Sequence, residues 1–165
     1  MEDEMSFSVL WVEEEAWTLR FERRLAEARG WTMFAVESAA EARKLASVQH
    51  FDAIIVDLNI PSDEFNRLCG KVDIDAGFAL IKSIRSLDPV VSATLPDLPL
   101  LVITAVASPE RKAKVCEYLA SSRHYLHKPL VEAEYESALS ELHVLMEQRS
   151  ATLRPSDAET TTEAT

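Results

Sequence analysis

Residues 51–57 read Phe51-Asp52-Ala53-Ile54-Ile55-Val56-Asp57, and Leu58-Asn59-Ile60-Pro61 follow them. A short apolar run rich in branched side chains, closed by an aspartate and a proline-bearing turn, is a buried strand giving way to a loop. What kind of sheet holds that strand is decided by the segments on either side of it.

Before it, Ser8-Val9-Leu10-Trp11-Val12 reads as a strand, and Trp17, Phe21, Leu25 and Ala28 recur at helical spacing until Gly30 stops the helix. Trp31 to Val36 reads as a second strand. Ser38 with Glu41 three residues later forms a capping box for a helix through Val48. After it, the stretch from Ser62 to Asp75 is too long for the usual βα loop of about two to six residues. Its Phe65, Leu68, Val72 and Ile74 predict a short helix that buries them against the domain. Helical periodicity resumes from Gly77 to Arg85, and Pro89, Pro96 and Pro99 mark a second long connection into the strand Leu98 to Thr104.

Ser108-Pro109-Glu110 supplies an N-cap, a proline at the first helical position and an early acid, which predicts a helix to about Ala120. A short fifth strand lies near His124 to His127, and Tyr135, Ala138, Leu139, Leu142, Leu145 and Met146 stripe a final helix. From Ser150 onward the periodic apolar set is missing, which predicts a disordered tail. Strands alternating with helices define an α/β fold: a parallel sheet with helices on both faces and right-handed crossovers. No internal repeat is present.

The chain has 165 residues, enough for one domain that buries about 70% of the surface its unfolded form exposes. Its 17 Lys and Arg against 28 Asp and Glu give a net charge of −11, which argues against direct binding to nucleic acid. Part of that acidity lies in Glu2-Asp3-Glu4 and in the tail. The acidic start is unlike a secretory signal, and no run of apolar residues is long enough to span a membrane, so a cytoplasmic protein is expected. Cys69 and Cys116 form no CxxC pattern, and His50, His124, His127 and His143 are scattered without ligand spacing.

An aspartate after a strand is most often a turn former or a cap. Asp57 differs in its company. Glu13-Glu14-Glu15 follows the first strand, Thr104 ends the fourth, and Lys128-Pro129 follows the fifth. Acids, a hydroxyl and a lysine therefore collect at the carboxyl ends of four strands, where open α/β sheets do their chemistry. A phosphatase of related topology would prefer a second aspartate two residues after the nucleophile, and Asn59 occupies that place.

The motifs Val12-Glu13-Glu14-Glu15, Ile55-Val56-Asp57-Leu58-Asn59-Ile60-Pro61, Val102-Ile103-Thr104-Ala105 and Tyr125-Leu126-His127-Lys128-Pro129-Leu130 together resemble the receiver domain of bacterial two-component response regulators. The resemblance implies a flavodoxin-like, doubly wound five-stranded sheet of order 2-1-3-4-5. It implies a receiver over residues 7–149 with an extended loop at 62–76, between an N-terminal extension at 1–6 and the tail at 150–165. No output domain follows, which suggests a stand-alone receiver.

By the same resemblance, Asp57 accepts a phosphoryl group from a histidine kinase or phosphotransfer protein. Mg²⁺ is held by Glu14, Asp57 and the backbone carbonyl of Asn59, with Glu13 acting mainly through water. Lys128 pairs with the phosphoryl oxygens, Thr104 and Tyr125 form the switch pair, and the Lys128-Pro129 bond is cis. The output is a changed face, about Pro109 to Met146, that binds a downstream target, and a homodimer is compatible with it. Such a domain is a regulatory phosphoacceptor, not an enzyme acting on other substrates.

The chain departs from the family in its acidic pair, which usually includes an aspartate. Glutamates are longer by about 1.5 Å, so Glu14 must fold back or the site must widen to meet the short contacts of Mg²⁺. The pair could instead hold Lys128 in a fixed ion pair. That supports a second reading, a pseudo-receiver acting as a constitutive binding or dimerisation module.

Overall fold

Ala53–Val56 is the third of five strands, and all four of its residues are buried. In the computed structural model, which describes residues 6–86 and 97–153, the chain runs β1 (Ser8–Val12), a 3-10 turn (Ala16–Leu19), α1 (Arg20–Glu27), β2 (Thr32–Val36), α2 (Ala39–Val48), β3 (Ala53–Val56), α3 (Glu64–Leu68), α4 (Ala76–Arg85), β4 (Leu100–Thr104), α5 (Pro109–Cys116), β5 (Tyr125–His127) and α6 (Glu132–Leu153). The strands form one parallel sheet in the order β2-β1-β3-β4-β5. The order reverses at β1 and β3, so their carboxyl ends lie side by side in the middle of the sheet.

Alternation along each strand feeds two apolar layers. Leu10, Ile54 and Val56 point to the face covered by α2, α4 and α5 through Ala42, Leu80, Ile81, Ile84 and Val115. Val9, Trp11 and Ile55 point to the face covered by the 3-10 turn, α1 and α6 through Leu19, Ala26, Leu139 and Leu142. Both faces are apolar because both are covered, which is why β3 and β4 read as continuous runs.

Local signals set the helix ends. Ser38 Oγ accepts the Glu41 N–H at 3.2 Å, while the Glu41 carboxylate accepts the Glu37 N–H at 2.9 Å. The box is thus offset by one residue from its reciprocal form. Ser108 caps α5 with Pro109 in the first turn, and Gly30 turns the chain after α1 at a φ of 81°.

Four expectations change. The expected stripe Trp17-Phe21-Leu25-Ala28 is not the buried face of α1: Trp17 is 67% and Phe21 56% exposed, whereas Leu19 and Ala26 are buried. The cause is the 3-10 turn over Ala16–Leu19, whose three residues per turn shift the phase before the α-helix begins at Arg20. The loop after Pro61 does contain a short helix, α3, capped by Asp63, yet Phe65 and Leu68 stand 71% and 72% exposed and Val72 and Ile74 are exposed as well. A five-residue helix held at its ends has no apolar layer beneath it to fill.

The helix after Pro109 stops at Cys116, short of the expected Ala120. Conversely α6 continues past Ser150 to Leu153. Buried Arg149 fixes its last turns by donating to Asp97 Oδ1 at 3.2 Å and to the Phe51 carbonyl at 3.4 Å. The acidic start, Pro89, Pro96 and the tail from residue 154 lie outside the described residues.

Candidate functional site

The sheet hydrogen bonds carry Glu13 and Asp57 to the same level. The Glu13 N–H donates to Val36 and the Asp57 N–H to Val12, both at 3.0 Å, so each residue continues its strand by one step. Both side chains are buried: Glu13 is 3% and Asp57 5% exposed. Lys128, one residue past β5, reaches in from the other side. Its Nζ donates to Glu13 Oε2 at 2.6 Å and to Asp57 Oδ2 at 2.9 Å.

Two carboxylates therefore share one ammonium, and the balance shows in their acidities. Burial penalises the charged form of Glu13 and raises its pKa; the Asp57 carboxylate adds to the rise, and Lys128 only partly offsets it. Burial alone would lower Lys128, but the two carboxylates outweigh it and hold its pKa above the ordinary lysine value. The second oxygen of each carboxylate also accepts a hydrogen bond. Asp57 Oδ1 accepts the Asn59 N–H at 3.1 Å, and Glu13 Oε1 accepts the Glu15 N–H at 3.2 Å.

The fourth strand end connects to the fifth. The Thr104 side chain is fully buried, its Oγ1 accepting the Val106 N–H at 3.2 Å and its carbonyl accepting the Lys128 N–H at 2.9 Å. Tyr125 is buried, with its hydroxyl donating to the Val106 carbonyl at 3.1 Å and the Lys112 ammonium 5.5 Å from its ring centre. Val106 thereby joins Thr104 to Tyr125. The Lys128-Pro129 peptide is cis, as the resemblance implied.

Of the site residues named from sequence, Glu13, Asp57 and Lys128 are in direct contact, and Thr104 and Tyr125 are linked through Val106. Glu14 stands apart: it is half-buried and makes no hydrogen bond or ion pair among the described residues. Among those residues no three His, Cys, Asp or Glu side chains converge as metal ligands. The donors in the pocket are nonetheless all oxygens, with two carboxylates against one ammonium. Asn59 Oδ1 is buried without a hydrogen-bond partner. In kind, that donor set suits a hard divalent cation.

Two contributors were not found from sequence. Gly77, one of three glycines in the chain, donates its N–H to the Leu58 carbonyl at 3.1 Å. A Cβ there would lie 2.2 Å from the Asp57 carbonyl oxygen and 2.5 Å from Leu58 Cα. Its absence lets α4 press against the loop that carries Asp57. A glycine inside a helical pattern was the available signal. Arg111 is the second, donating to the Ile74 carbonyl at 2.6 Å and pairing with Asp75 at 3.0 Å, which ties the long loop to α5. Nothing in the local sequence marks that pairing.

Neither a protein-family model nor a curated protein matches the chain. Many solved structures do share its fold, and many of them are receiver domains. The receiver domain of the Francisella response regulator 1452 is 18% identical with a TM-score of 0.64, over 87% of this chain and 99% of that one. A CheY-like receiver domain protein from Methanospirillum hungatei is 15% identical with a TM-score of 0.65, over 90% and 99%. The receiver domain of the sensor histidine kinase PA1611 from Pseudomonas aeruginosa, described with a magnesium ion coordinated in its active site cleft, is 19% identical with a TM-score of 0.60, over 84% and 98%. The chain has the receiver-domain fold.

Proposed function

We propose that the protein is a phosphoacceptor receiver that takes a phosphoryl group onto Asp57 from the phosphohistidine of a histidine kinase or phosphotransfer protein. In that transfer the P–N bond breaks, an Asp57 carboxylate oxygen forms the new O–P bond, and the imidazole leaves with its electron pair. The observation that carries this reading is the Lys128 ammonium 2.9 Å from Asp57, at the carboxyl end of β3 where the strand order reverses. A cation fixed there offsets the repulsion between an anionic nucleophile and an anionic phosphoryl group.

Mg²⁺ would be held by Asp57, Glu14 and the Asn59 carbonyl, with Glu13 acting through water, and would supply further charge neutralisation. Lys128 would bond the phosphoryl oxygens and the Thr104 hydroxyl would turn to meet them. The path from Thr104 through Val106 to Tyr125 supports a signal that leaves by the surface from Pro109 to Met146, where a target protein binds. The reading is of a regulatory domain in the cytoplasm. Among the described residues no helix is long and apolar enough to cross a membrane.

The 2.6 Å contact of Lys128 with Glu13 favours a second reading, in which the pocket is held shut as a pseudo-receiver and the fold serves as a constitutive binding module. The two separate in one experiment. Beryllofluoride or a small-molecule phosphodonor, given with Mg²⁺, modifies the wild type and fails on Asp57→Asn if the protein is a phosphoacceptor. Inertness of the wild type, with equal partner binding by wild type and Asp57→Asn, selects the pseudo-receiver.

A further inference from the structure

We propose that two copies of this chain associate reciprocally through their carboxyl-end surfaces, α1 of each copy seated on the segment between β3 and α4 of the other. Each molecule carries two exposed apolar surfaces at that end of the sheet, edged by charges of opposite sign. On the first two turns of the α1 region, Trp17, Arg20, Phe21 and Arg24 fall at helical spacing and are all exposed. Neither arginine has an ion-pair partner among the described residues. This is a cationic aromatic stripe on a chain of net charge −11.

The complement is the segment 62–75. Phe65, Leu68, Val72 and Ile74 are exposed on it; Glu64 pairs with Arg67 and Asp75 with Arg111, which leaves Asp63 and Asp73 without an ion pair among the described residues, against Lys71. The segment is braced at several points: Arg67 pairs with Glu37 at 3.0 Å, the Asp73 N–H donates to Ile60 at 2.9 Å, and Arg111 holds Ile74 and Asp75. Large apolar side chains displayed by a braced, acid-rich segment mark an interaction surface, and opposite charge selects the cationic stripe as its fit.

The fold makes the contact reciprocal. α1 lies on the sheet face shared with α6, and the segment leads into α4 on the opposite face. A two-fold axis parallel to the sheet and perpendicular to its strands brings two carboxyl ends together and exchanges the faces. Each stripe then meets the other copy's segment, a closed arrangement that adds no open surface. Asp57 lies at the same end of the sheet, so a phosphodonor and the second copy would compete for that end.

Sedimentation of the full chain tests this. The wild type shifts from monomer to dimer with concentration, and more weakly at high salt. Arg20→Glu/Arg24→Glu and Phe65→Lys/Leu68→Lys, both on exposed positions, each weaken association at least about tenfold, by placing like charges against each other. An equimolar mixture of the two variants associates more tightly than either variant alone, because one of its contacts is native and the other sets opposite charges against each other. Melting curves check that each variant is folded; Trp17→Ser and Phe65→Ser, which carry no new charge, serve if one is not. A monomer at every concentration, a dimer indifferent to both variants, a mixture that fails to recover, or a monomer whose stripe binds only a foreign acidic peptide overturns the proposal.

Discussion

Lys128 is held more closely by Glu13 than by Asp57, at 2.6 Å against 2.9 Å, and both acids are nearly excluded from water. Removing the ammonium from this buried set costs more than the set contributes, because the two like charges left behind are neither paired nor hydrated. Lys128→Met leaves two facing carboxylates and is expected to lower stability by about 3 kcal/mol at neutral pH. Adding Glu13→Gln should return most of the loss. Urea unfolding of the three variants at one pH measures both steps, and a double variant no more stable than Lys128→Met would contradict the shared-ammonium account.

Glu13 carries a pH signature in the acid range. Its pKa in the folded protein is raised above the ordinary 4.5, chiefly by burial. Between those two values the native state binds more protons than the unfolded chain, so stability falls as pH rises through the window and is recovered on acidification. Glu13→Gln removes the buried charge while keeping an oxygen for Lys128. It is expected to stabilise the protein at neutral pH, with the gain vanishing as pH falls to the ordinary glutamate range. Denaturant midpoints from neutral to mildly acidic pH trace it; a gain that persists unchanged in acid would assign it to another cause.

The parts of this molecule that were legible in the sequence are those a short window determines. Ile54-Ile55-Val56 followed by Asp57 announces a buried strand end, Ser108-Pro109-Glu110 a helix start, and β/α alternation the parallel sheet. Glu13, Asp57 and Lys128 could be grouped because each follows a strand. What was not legible depends on rotation or on long-range closure. Leu19 and not Trp17 enters the core because a 3-10 turn precedes α1. Glu13 and not Glu14 faces inward because the strand alternation extends one residue past Val12. Arg111 reaches Ile74 across 37 positions of chain, a contact no local pattern encodes.

Tyr125 closes the link that starts at Thr104. Tyr125→Phe deletes the donor to the Val106 carbonyl and leaves that carbonyl in a half-buried place, an expected cost of about 1 kcal/mol. Because the hydroxyl touches neither Asp57 nor Lys128, beryllofluoride uptake should be retained while binding of a target to the surface from Pro109 to Met146 changes. Comparing the two readouts on one variant separates transmission from acceptance. Loss of both together would place Tyr125 in the pocket's own support.

Gly77 supplies the sharpest structural prediction, because two general effects have opposite signs there. In an exposed helix, glycine to alanine stabilises by about 1 kcal/mol. At Gly77 the added methyl would stand 2.2 Å from the Asp57 carbonyl oxygen and 2.5 Å from Leu58 Cα, both main-chain atoms that no rotamer change can move away. Either α4 retreats from the sheet, opening the layer that holds Leu80 and Ile81, or the loop from Asp57 to Asn59 shifts. Gly77→Ala is therefore expected to lose about 3 kcal/mol of stability, the upper end of ordinary overpacking. It should also reduce phosphoryl acceptance by Asp57 even where the variant remains folded. Thermal melts and beryllofluoride titration read the two effects; an alanine variant as stable as the wild type would show that the close approach of α4 to the Asp57 loop does not exist in solution.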